Sequence, residues 1–359
     1  MAKQIVSRRR QLAAFWLRLL CFVLLAVLTL SYANYVLTPK HDYGICSMTN
    51  LYRQPDHSID VLAVGTSLLY AGVNTNILWD EYGIAAYNLC SAEQPFWVSY
   101  YVIREALKTQ CPQVILLDAK PAIYRQDYSR HGRTILSTFG IRGLENRIGA
   151  ILACVGKPRD AVNYILGLPE VHNNYADVTA ADFRLPPDNG GRNANWKGYI
   201  ESDGVERHQR PSLTWNNMCR NMNEREEEYA RKIFELAREE GIALWLIGMP
   251  NPDYAYDHMY YNTLWSIAAE YGIQGVNYND PGMRFGLRYS SDFADWQHLN
   301  VKGSVTFSKK LGADLRAELD LPDRRGDTYY ISYDACAQDW FEKYPFFESS
   351  GLKEETLGQ

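Results

Sequence analysis

The sequence has no excess of basic residues: its 37 lysines and arginines are outnumbered by 42 aspartates and glutamates, giving a formal net charge of −5. Nucleic-acid binders usually carry clustered positive charge, so this balance argues against a nucleic-acid partner. The chain contains no P-loop and no G-x-G-x-x-G motif, and no nucleotide cofactor is indicated. The seven cysteines form no C-x-x-C pair, so we expect buried free thiols and no zinc site.

One long apolar run is present, LLCFVLLAVLTLSYANYV from Leu19 to Val36, and its length suits a helix that crosses a membrane. The basic residues that precede it are Lys3, Arg8, Arg9, Arg10 and Arg18. By the positive-inside rule, this asymmetry predicts a cytoplasmic N-terminus over 1–18, an anchor over 19–37 and an extracytoplasmic remainder. A cleaved signal peptide that ends near Ala33 is the alternative. We therefore expect a single-pass protein of the cell membrane.

Short apolar runs alternate with helical patterns along the rest of the chain. We predict strands over residues 59–64, 87–89, 114–117, 242–248 and 274–278. We predict helices from the turn at 65–67 through 79, over 97–108, over 223–241, over 261–271 and from 300 to about 319. The third of these begins at a capping box formed by Asn223 and Glu226 and ends at Gly241. This order predicts an α/β fold with a doubly wound, mostly parallel sheet and helices on both faces.

The predicted organisation is a linker over 38–57, the α/β domain over 58–321 and a tail over 322–359 that packs on the domain up to about Phe347. Residues 124–215 break the alternation. We expect them to form an insertion or cap over the carboxyl edge of the sheet, where such folds bind ligands. Trp196, Tyr199 and Trp215 in this region fit cap packing better than stacking on sugar rings. His172 and His208 are candidates for lining a polymer groove, although lone histidines are usually structural or solvated.

A first short segment suits nucleophilic catalysis. The run AVGTSLLYAGVN, residues 63–74, places Ser67 directly after a buried strand, at a strand-to-helix turn. Peptide N–H groups at the start of a helix can stabilise an oxyanion there. The alternative is that Thr66 or Ser67 simply caps the helix.

A second segment supplies a candidate base. The run SDFADWQHLNVKGS, residues 291–304, places Asp295 three positions before His298, immediately ahead of the last predicted helix. That spacing lets the carboxylate bond one imidazole nitrogen and leaves the other as a general base. The alternative is a surface histidine beside an aspartate, with Asn300 capping the helix. Asp118, at the end of the strand VILLD, is interpreted as a helix cap or as a salt-bridge partner of Lys120 or Arg125.

Together, GTS around Ser67 and DWQHLN around His298 resemble the first and last sequence blocks of the SGNH (GDSL-like) hydrolase family, over roughly residues 58–320. The membrane-anchored layout is most similar to the branch with the D-alanyl transfer protein of teichoic acid synthesis and the alginate acetylation proteins. The resemblance implies a flavodoxin-like three-layer sandwich, with Ser67 as nucleophile and oxyanion N–H donor, His298 as base and Asp295 as its orienter. It also implies acyl-ester chemistry on a cell-surface polysaccharide or teichoic-acid-like polymer, alongside a membrane-bound O-acyltransferase.

The chain departs from that family where further oxyanion donors are expected. The second family block supplies a glycine N–H, but the comparable stretch over 87–96 has no glycine, so Cys90 or Ala92 is the candidate. The third block supplies an asparagine in a G-x-N-D pattern that is absent here. Asn88 and Gln94 are therefore candidate side-chain donors, or they make structural hydrogen bonds. Losing one donor costs about 10²–10³ in rate, so a slow or specialised transferase fits better than a fast esterase.

The sequence supports two functions of different classes. In one, Ser67 attacks an acyl ester or thioester, His298 takes its proton, and the acyl-enzyme passes its group to a hydroxyl or to water. In the other, the domain is a catalytically silent scaffold that binds polymer or a membrane O-acyltransferase. The missing glycine and asparagine favour the scaffold, and the intact Ser67, Asp295 and His298 favour the enzyme. Neither requires a metal or cofactor.

Overall fold

The computed structural model describes residues 2–41, 43–183, 196–211, 217–254, 257–347 and 349. The chain divides into two compact units. The smaller unit comprises residues 1–39 and 159–187, and the larger comprises 40–158 and 188–359.

Five strands and thirteen α-helices lie in the described residues. The strands are β1 Val61–Gly65, β2 Ala86–Cys90, β3 Val114–Asp118, β4 Ala243–Gly248 and β5 Gln274–Asn277. The helices are α1 Ala2–Leu37, α2 Ile45–Leu51, α3 Ser67–Gly72, α4 Thr75–Tyr82, α5 Phe96–Ala106, α6 His131–Thr138, α7 Leu144–Cys154, α8 Pro158–Leu166, α9 Leu168–Val171, α10 Glu224–Glu239, α11 His258–Glu270, α12 Val301–Glu318 and α13 Ile331–Lys343.

The strands form one parallel sheet in the order β2-β1-β3-β4-β5. All five predicted strands are confirmed, with ends shifted by a few residues. From β1 the chain first moves to one edge of the sheet and then returns through β3 toward the other. The carboxyl ends of β1 and β3 therefore flank the point where the winding reverses, which is where open α/β sheets bind ligands.

Helices cover both faces of this sheet, which confirms the predicted α/β class. On one face α5, α7, α10 and α11 enclose a core with Phe96, Phe234 and Tyr261. On the other face α3, α4 and α12 enclose a core with Leu69, Phe307 and Leu311. Because both faces are covered, every residue of β1, β2 and β3 is buried.

Outside the predicted insertion, the described part of the larger unit contains two helices that the sequence patterns did not predict. Residues 45–51, expected in a linker, form α2, and its Met48 and Leu51 are buried in the core. The helix that ends at Glu318 is not the last one, since α13 follows and packs on α4. Tyr333 and Trp340 of α13 lie seven residues apart on its buried face, so the aromatic tail supplies core.

The long helix α10 begins at the predicted residue but not by the predicted capping box. The Asn223 side chain accepts a hydrogen bond from the Arg225 N–H at 2.9 Å. Glu226 instead accepts from the Phe96 N–H at 2.9 Å, at the start of α5. Glu226 is fully buried there, so it joins two helices across the core rather than closing its own N-terminus.

The predicted insertion is helical over much of its length. Its α7 packs against α5 within the larger unit. Trp196 and Tyr199 are both buried, which agrees with packing rather than with sugar stacking, and Trp215 lies outside the described residues.

The smaller unit contains α1, whose stretch Gln11–Leu37 has a mean hydropathy of 2.4 and is long and apolar enough to cross a membrane. In the same unit α9 packs on α1, and the Asn174 amide donates to the Leu37 carbonyl at 3.1 Å. His172 bonds the Pro169 carbonyl at 2.7 Å.

All seven cysteines are free thiols. Cys90, Cys154 and Cys336 are buried as expected, whereas three others are exposed. Burial raises the pKa of Cys154 and of Cys336 to about 11, so both thiols are protonated and unreactive near neutral pH.

Candidate active site

Ser67 lies at the carboxyl edge of the sheet, where β1 passes directly into α3. Thr66 is extended, with φ −91° and ψ −174°, and its side chain accepts from the Leu68 N–H at 3.3 Å, which makes Thr66 the N-cap. Ser67 is then the first helical residue, and peptide N–H groups at that position have no partner within the helix. The same turn thus presents a hydroxyl and a backbone donor side by side.

A continuous chain of hydrogen bonds links Ser67, His298 and Asp295. His298 Nε2 lies 2.8 Å from Ser67 Oγ, although 231 residues separate the two in sequence. His298 Nδ1 lies 2.8 Å from Asp295 Oδ2 and 3.1 Å from Oδ1. With the Nδ1 proton held by the carboxylate, Nε2 is available to accept the serine proton. The structure therefore brings together the three side chains proposed from sequence.

The loop that carries Asp295 and His298 is held by its own backbone bonds. Asp295 Oδ1 accepts from the N–H of Gln297 at 2.9 Å and of His298 at 2.8 Å. At the base of the loop, the Ala294 N–H donates to the His298 carbonyl at 2.8 Å. Asn300 then caps α12 by accepting from the Gly303 N–H at 3.0 Å.

These contacts set the charge state of the carboxylate. Burial raises the pKa of Asp295, but hydrogen bonds from Gln297 N–H, the His298 ring and His298 N–H outweigh it, and the pKa is lowered overall. Asp295 is therefore ionised across the neutral range, as a group that orients and stabilises an imidazolium must be.

Asp118 anchors the turn that holds the nucleophile. Its Oδ2 accepts from the Thr66 N–H at 3.0 Å and from the Thr66 hydroxyl at 2.5 Å. Its Oδ1 accepts from the Lys120 N–H at 2.9 Å. Burial raises the pKa of this fully buried carboxyl, and the bonds from Thr66 and Lys120 oppose the shift. The expected salt bridge with Lys120 is absent among the described contacts, because the Lys120 ammonium pairs with Asp257 instead.

Replacing Gly65 by alanine is expected to disturb this anchor. A Cβ at Gly65 would lie 2.2 Å from the Asp118 Cβ, so the backbone of one strand must move. Overpacking of this kind costs about 1–3 kcal/mol of unfolding free energy, measurable by urea denaturation. Gly132→Ala is the control, since nothing lies within 4 Å of its added Cβ and the helix should gain slightly. Equal stability of the two variants would contradict the role given to Gly65.

A cavity of about 310 Å³ opens beside Ser67. Four aromatic side chains contribute to its wall: Trp97, Tyr124, Tyr128 and Trp296. Trp296 is 54% exposed although it lies two positions before His298, so it offers a flat apolar surface next to the base. The cavity thus combines aromatic surface with the Ser67 side chain.

Two ion pairs also line the cavity, and sequence reasoning missed both. Lys120 Nζ lies 2.7 Å from Asp257 Oδ2 in a mostly buried pair, and burial raises the pKa of Asp257 while Lys120 opposes it. Arg133 lies 3.4 Å from Glu93 in a more exposed pair. The members are 137 and 40 residues apart, so no local pattern marks them.

The two proposed side-chain oxyanion donors bond other groups. The Asn88 amide donates to the Val73 carbonyl at 2.8 Å, and the Gln94 amide donates to Ser99 Oγ at 3.1 Å. Cys90 and Ala92, which were proposed for a backbone N–H, are both buried. None of Asn88, Cys90 or Gln94 is among the described residues that line the cavity. Among the donors predicted from sequence, the Ser67 N–H remains the candidate that can stabilise an oxyanion.

Tyr70 is a neighbour of Ser67 that sequence reasoning did not single out. Burial raises the pKa of its phenol, and a hydrogen bond with Ser67 partly opposes the shift. Tyr70 follows Ser67 by three positions in α3, a spacing that puts two side chains on one helix face. This three-residue spacing is the feature of the sequence that could have identified Tyr70 as a neighbour of Ser67.

No protein-family model matches this chain, and no curated protein matches it. The functional assignment therefore depends on the site geometry described above.

Proposed function

We propose that this protein is a serine enzyme that transfers or hydrolyses O-acyl groups through an acyl-enzyme on Ser67. The single observation that carries the proposal is the hydrogen-bonded chain from Ser67 Oγ through His298 to Asp295. The SGNH resemblance noted in the sequence adds to it.

The proposed reaction has two steps of the same kind. Ser67 Oγ forms a bond to the acyl carbon while its proton passes to His298 Nε2, and the Ser67 N–H stabilises the oxyanion. The imidazolium then protonates the leaving group as the acyl–oxygen or acyl–sulfur bond breaks. In the second step His298 takes a proton from the acceptor hydroxyl or water, whose oxygen forms a bond to the acyl carbon. The imidazolium then returns that proton to Ser67 Oγ as the bond between the acyl carbon and Oγ breaks. Asp295 stabilises the imidazolium in both steps without being protonated.

We further propose that the acceptor or donor is a cell-surface polysaccharide or a teichoic-acid-like polymer. The aromatic cavity wall, including the exposed Trp296, supports a sugar ligand because apolar sugar faces pack on aromatic rings. The N-terminal apolar helix and the basic residues before it support a single-pass anchor with a cytoplasmic N-terminus and an extracytoplasmic enzyme. A membrane-bound O-acyltransferase as partner is supported by the family resemblance.

Covalent capture tests the proposal. Full-length protein in detergent is incubated with p-nitrophenyl acetate or with a fluorophosphonate, and the modified residue is located by peptide mass mapping. We expect both reagents to modify Ser67, because His298 activates its hydroxyl only in the folded chain. Thermally unfolded protein serves as the control and should not react at Ser67. Failure of both reagents to modify Ser67 in folded protein would contradict the enzyme assignment.

One observation favours the silent scaffold as a second candidate. Asn88 and Gln94, the two candidate side-chain donors for the oxyanion, make structural hydrogen bonds and do not line the cavity beside Ser67. A scaffold of this fold would bind polymer or a membrane partner with an unreactive Ser67. The fluorophosphonate experiment separates the two candidates directly.

A further inference from the structure

A second cavity, of about 340 Å³, lies beyond the end of β5. Three arginines, Arg210, Arg284 and Arg288, contribute to its wall, together with the rings of Tyr278, Phe285 and Tyr289. We call it the arginine pocket. It shares no lining residue with the cavity beside Ser67.

The arginine pocket is positive in a protein whose net charge is −5. None of the described residues that line it is an aspartate or a glutamate. Arg284 and Arg288 are exposed, and neither guanidinium forms an ion pair with a described carboxylate. Such uncompensated guanidinium groups in a concave site favour an anionic ligand.

Arg210 is held in place by backbone carbonyls, which do not neutralise the charge of its guanidinium. Its guanidinium donates to the carbonyls of Asp280 at 3.0 Å and Met283 at 2.8 Å, which are neutral acceptors. Its charge also acts on the neighbouring phenol: burial raises the pKa of Tyr289 to about 12, and Arg210 opposes that shift. Two carboxylates bond lining residues of the pocket, and each is paired with a lysine. Asp314 accepts from the Tyr278 hydroxyl and pairs with Lys310, and Asp292 accepts from the Arg288 backbone N–H at 2.8 Å and pairs with Lys302.

The segment 206–210 connects the arginine pocket to the triad loop. The His208 N–H donates to the Tyr289 carbonyl at 2.9 Å, and the His208 ring Nε2 lies 3.0 Å from the Asp295 carbonyl. Arg210 follows His208 by two positions, and its guanidinium donates to the Met283 carbonyl in the loop that lines the arginine pocket. A ligand group held by the arginines therefore lies along the same short segment that supports Asp295.

We propose that the arginine pocket binds a phosphate or carboxylate group of the polymer whose acyl groups are handled at Ser67. The planar guanidinium fork matches both oxyanions and can bind them through two parallel hydrogen bonds. A polymer with regularly spaced anionic groups would occupy the pocket with one group while a neighbouring unit reaches Ser67. This inference depends on the proposed function for the identity of the ligand, not for the existence of the anion site.

The test measures binding of polymers to full-length protein in phosphatidylcholine nanodiscs. The probes are poly(glycerol phosphate) and polygalacturonate, with neutral dextran for comparison. The Ser67→Ala background prevents turnover. Arg284→Gln/Arg288→Gln is expected to weaken binding of both anionic polymers by at least about tenfold and to leave dextran unaffected. The matched control Arg53→Gln/Lys157→Gln removes the same charge from exposed sites elsewhere and should change binding less than about twofold.

Two results would overturn the inference. One is equal binding by the pocket variant and the charge-matched control, provided that both melt at the wild-type temperature. The other comes from a second set of nanodiscs in which phosphatidylglycerol replaces part of the phosphatidylcholine. If the arginine substitutions change polymer binding only in these anionic nanodiscs, the pocket would be assigned to lipid head groups.

Fluorophosphonate labelling of the wild type, run in parallel, keeps the two proposals distinct. An unlabelled Ser67 with arginine-dependent polymer binding rejects the enzyme and leaves the anion site standing. A labelled Ser67 with no arginine dependence rejects the anion site alone.

Discussion

Ser67→Ala is expected to lower the rate of p-nitrophenyl acetate hydrolysis, or of acyl transfer, by on the order of 10⁵–10⁶ and to abolish the covalent adduct. The hydroxyl lies 2.8 Å from the base and is the group that forms the acyl-enzyme, so its removal leaves only binding and the backbone donor. Ser67 is 7% exposed and packs at the start of a short helix, and alanine fits there without a clash. Initial rates at saturating ester, with unfolding monitored by circular dichroism, measure the effect.

Ser129→Ala is the matched control, because Ser129 lines the same cavity and its side chain bonds Trp97 at 3.2 Å and the buried Cys154 thiol rather than the triad. Loss of these neutral hydrogen bonds should lower the rate at most about tenfold. A Ser67→Ala protein that retains the wild-type rate would show that Ser67 is not the nucleophile. A Ser129→Ala protein that loses activity fully would move the nucleophile to that residue.

Asp295→Asn is expected to lower turnover by about 10⁴, with the fold intact. The amide is nearly the size of the carboxylate, but it cannot stabilise the imidazolium, and its NH₂ group favours the wrong tautomer of His298. Ser67 should still react slowly with a fluorophosphonate, since the Ser67–His298 geometry remains. Asp253→Asn is the control: it lines the same cavity and makes no hydrogen bond to the triad among the described residues. A loss of similar size in both variants would point to cavity charge rather than to orientation of His298.

The lowered pKa of Asp295 determines how the effect of Asp295→Asn depends on pH. Because this carboxylate stays ionised well into the acidic range, the substitution is expected to lower the rate by a similar factor throughout the neutral range. The measurement is the ratio of the wild-type rate to the Asp295→Asn rate between about pH 6 and pH 8. A ratio that falls towards one as the pH is lowered over this interval would contradict the lowered pKa of Asp295.

The local patterns identified the sheet well. Strands β1, β3 and β4 are mostly apolar runs of five or six residues, and such runs have few alternatives to a buried parallel strand once turns bound them. Asn223 and Asn300 were identified as caps because capping depends on residues within one turn. The prediction failed for Glu226, whose partner Phe96 is 130 residues away. It also failed for α13, whose aromatic face is explained only by the surface of α4 that it covers.

The amino-acid sequence alone was sufficient to place Ser67 at a strand-to-helix turn and to pair Asp295 with His298, because both arrangements involve residues within three positions of each other. The contact between those two segments depends on the sheet, which places the end of β1 beside the loop before α12. The same holds for the Thr66–Asp118 anchor, the Lys120–Asp257 pair and the arginine pocket, whose members come from segments far apart in the chain. Such contacts form only when burial of apolar strands and helices fixes the relative positions of those segments, and local sequence carries no record of that geometry.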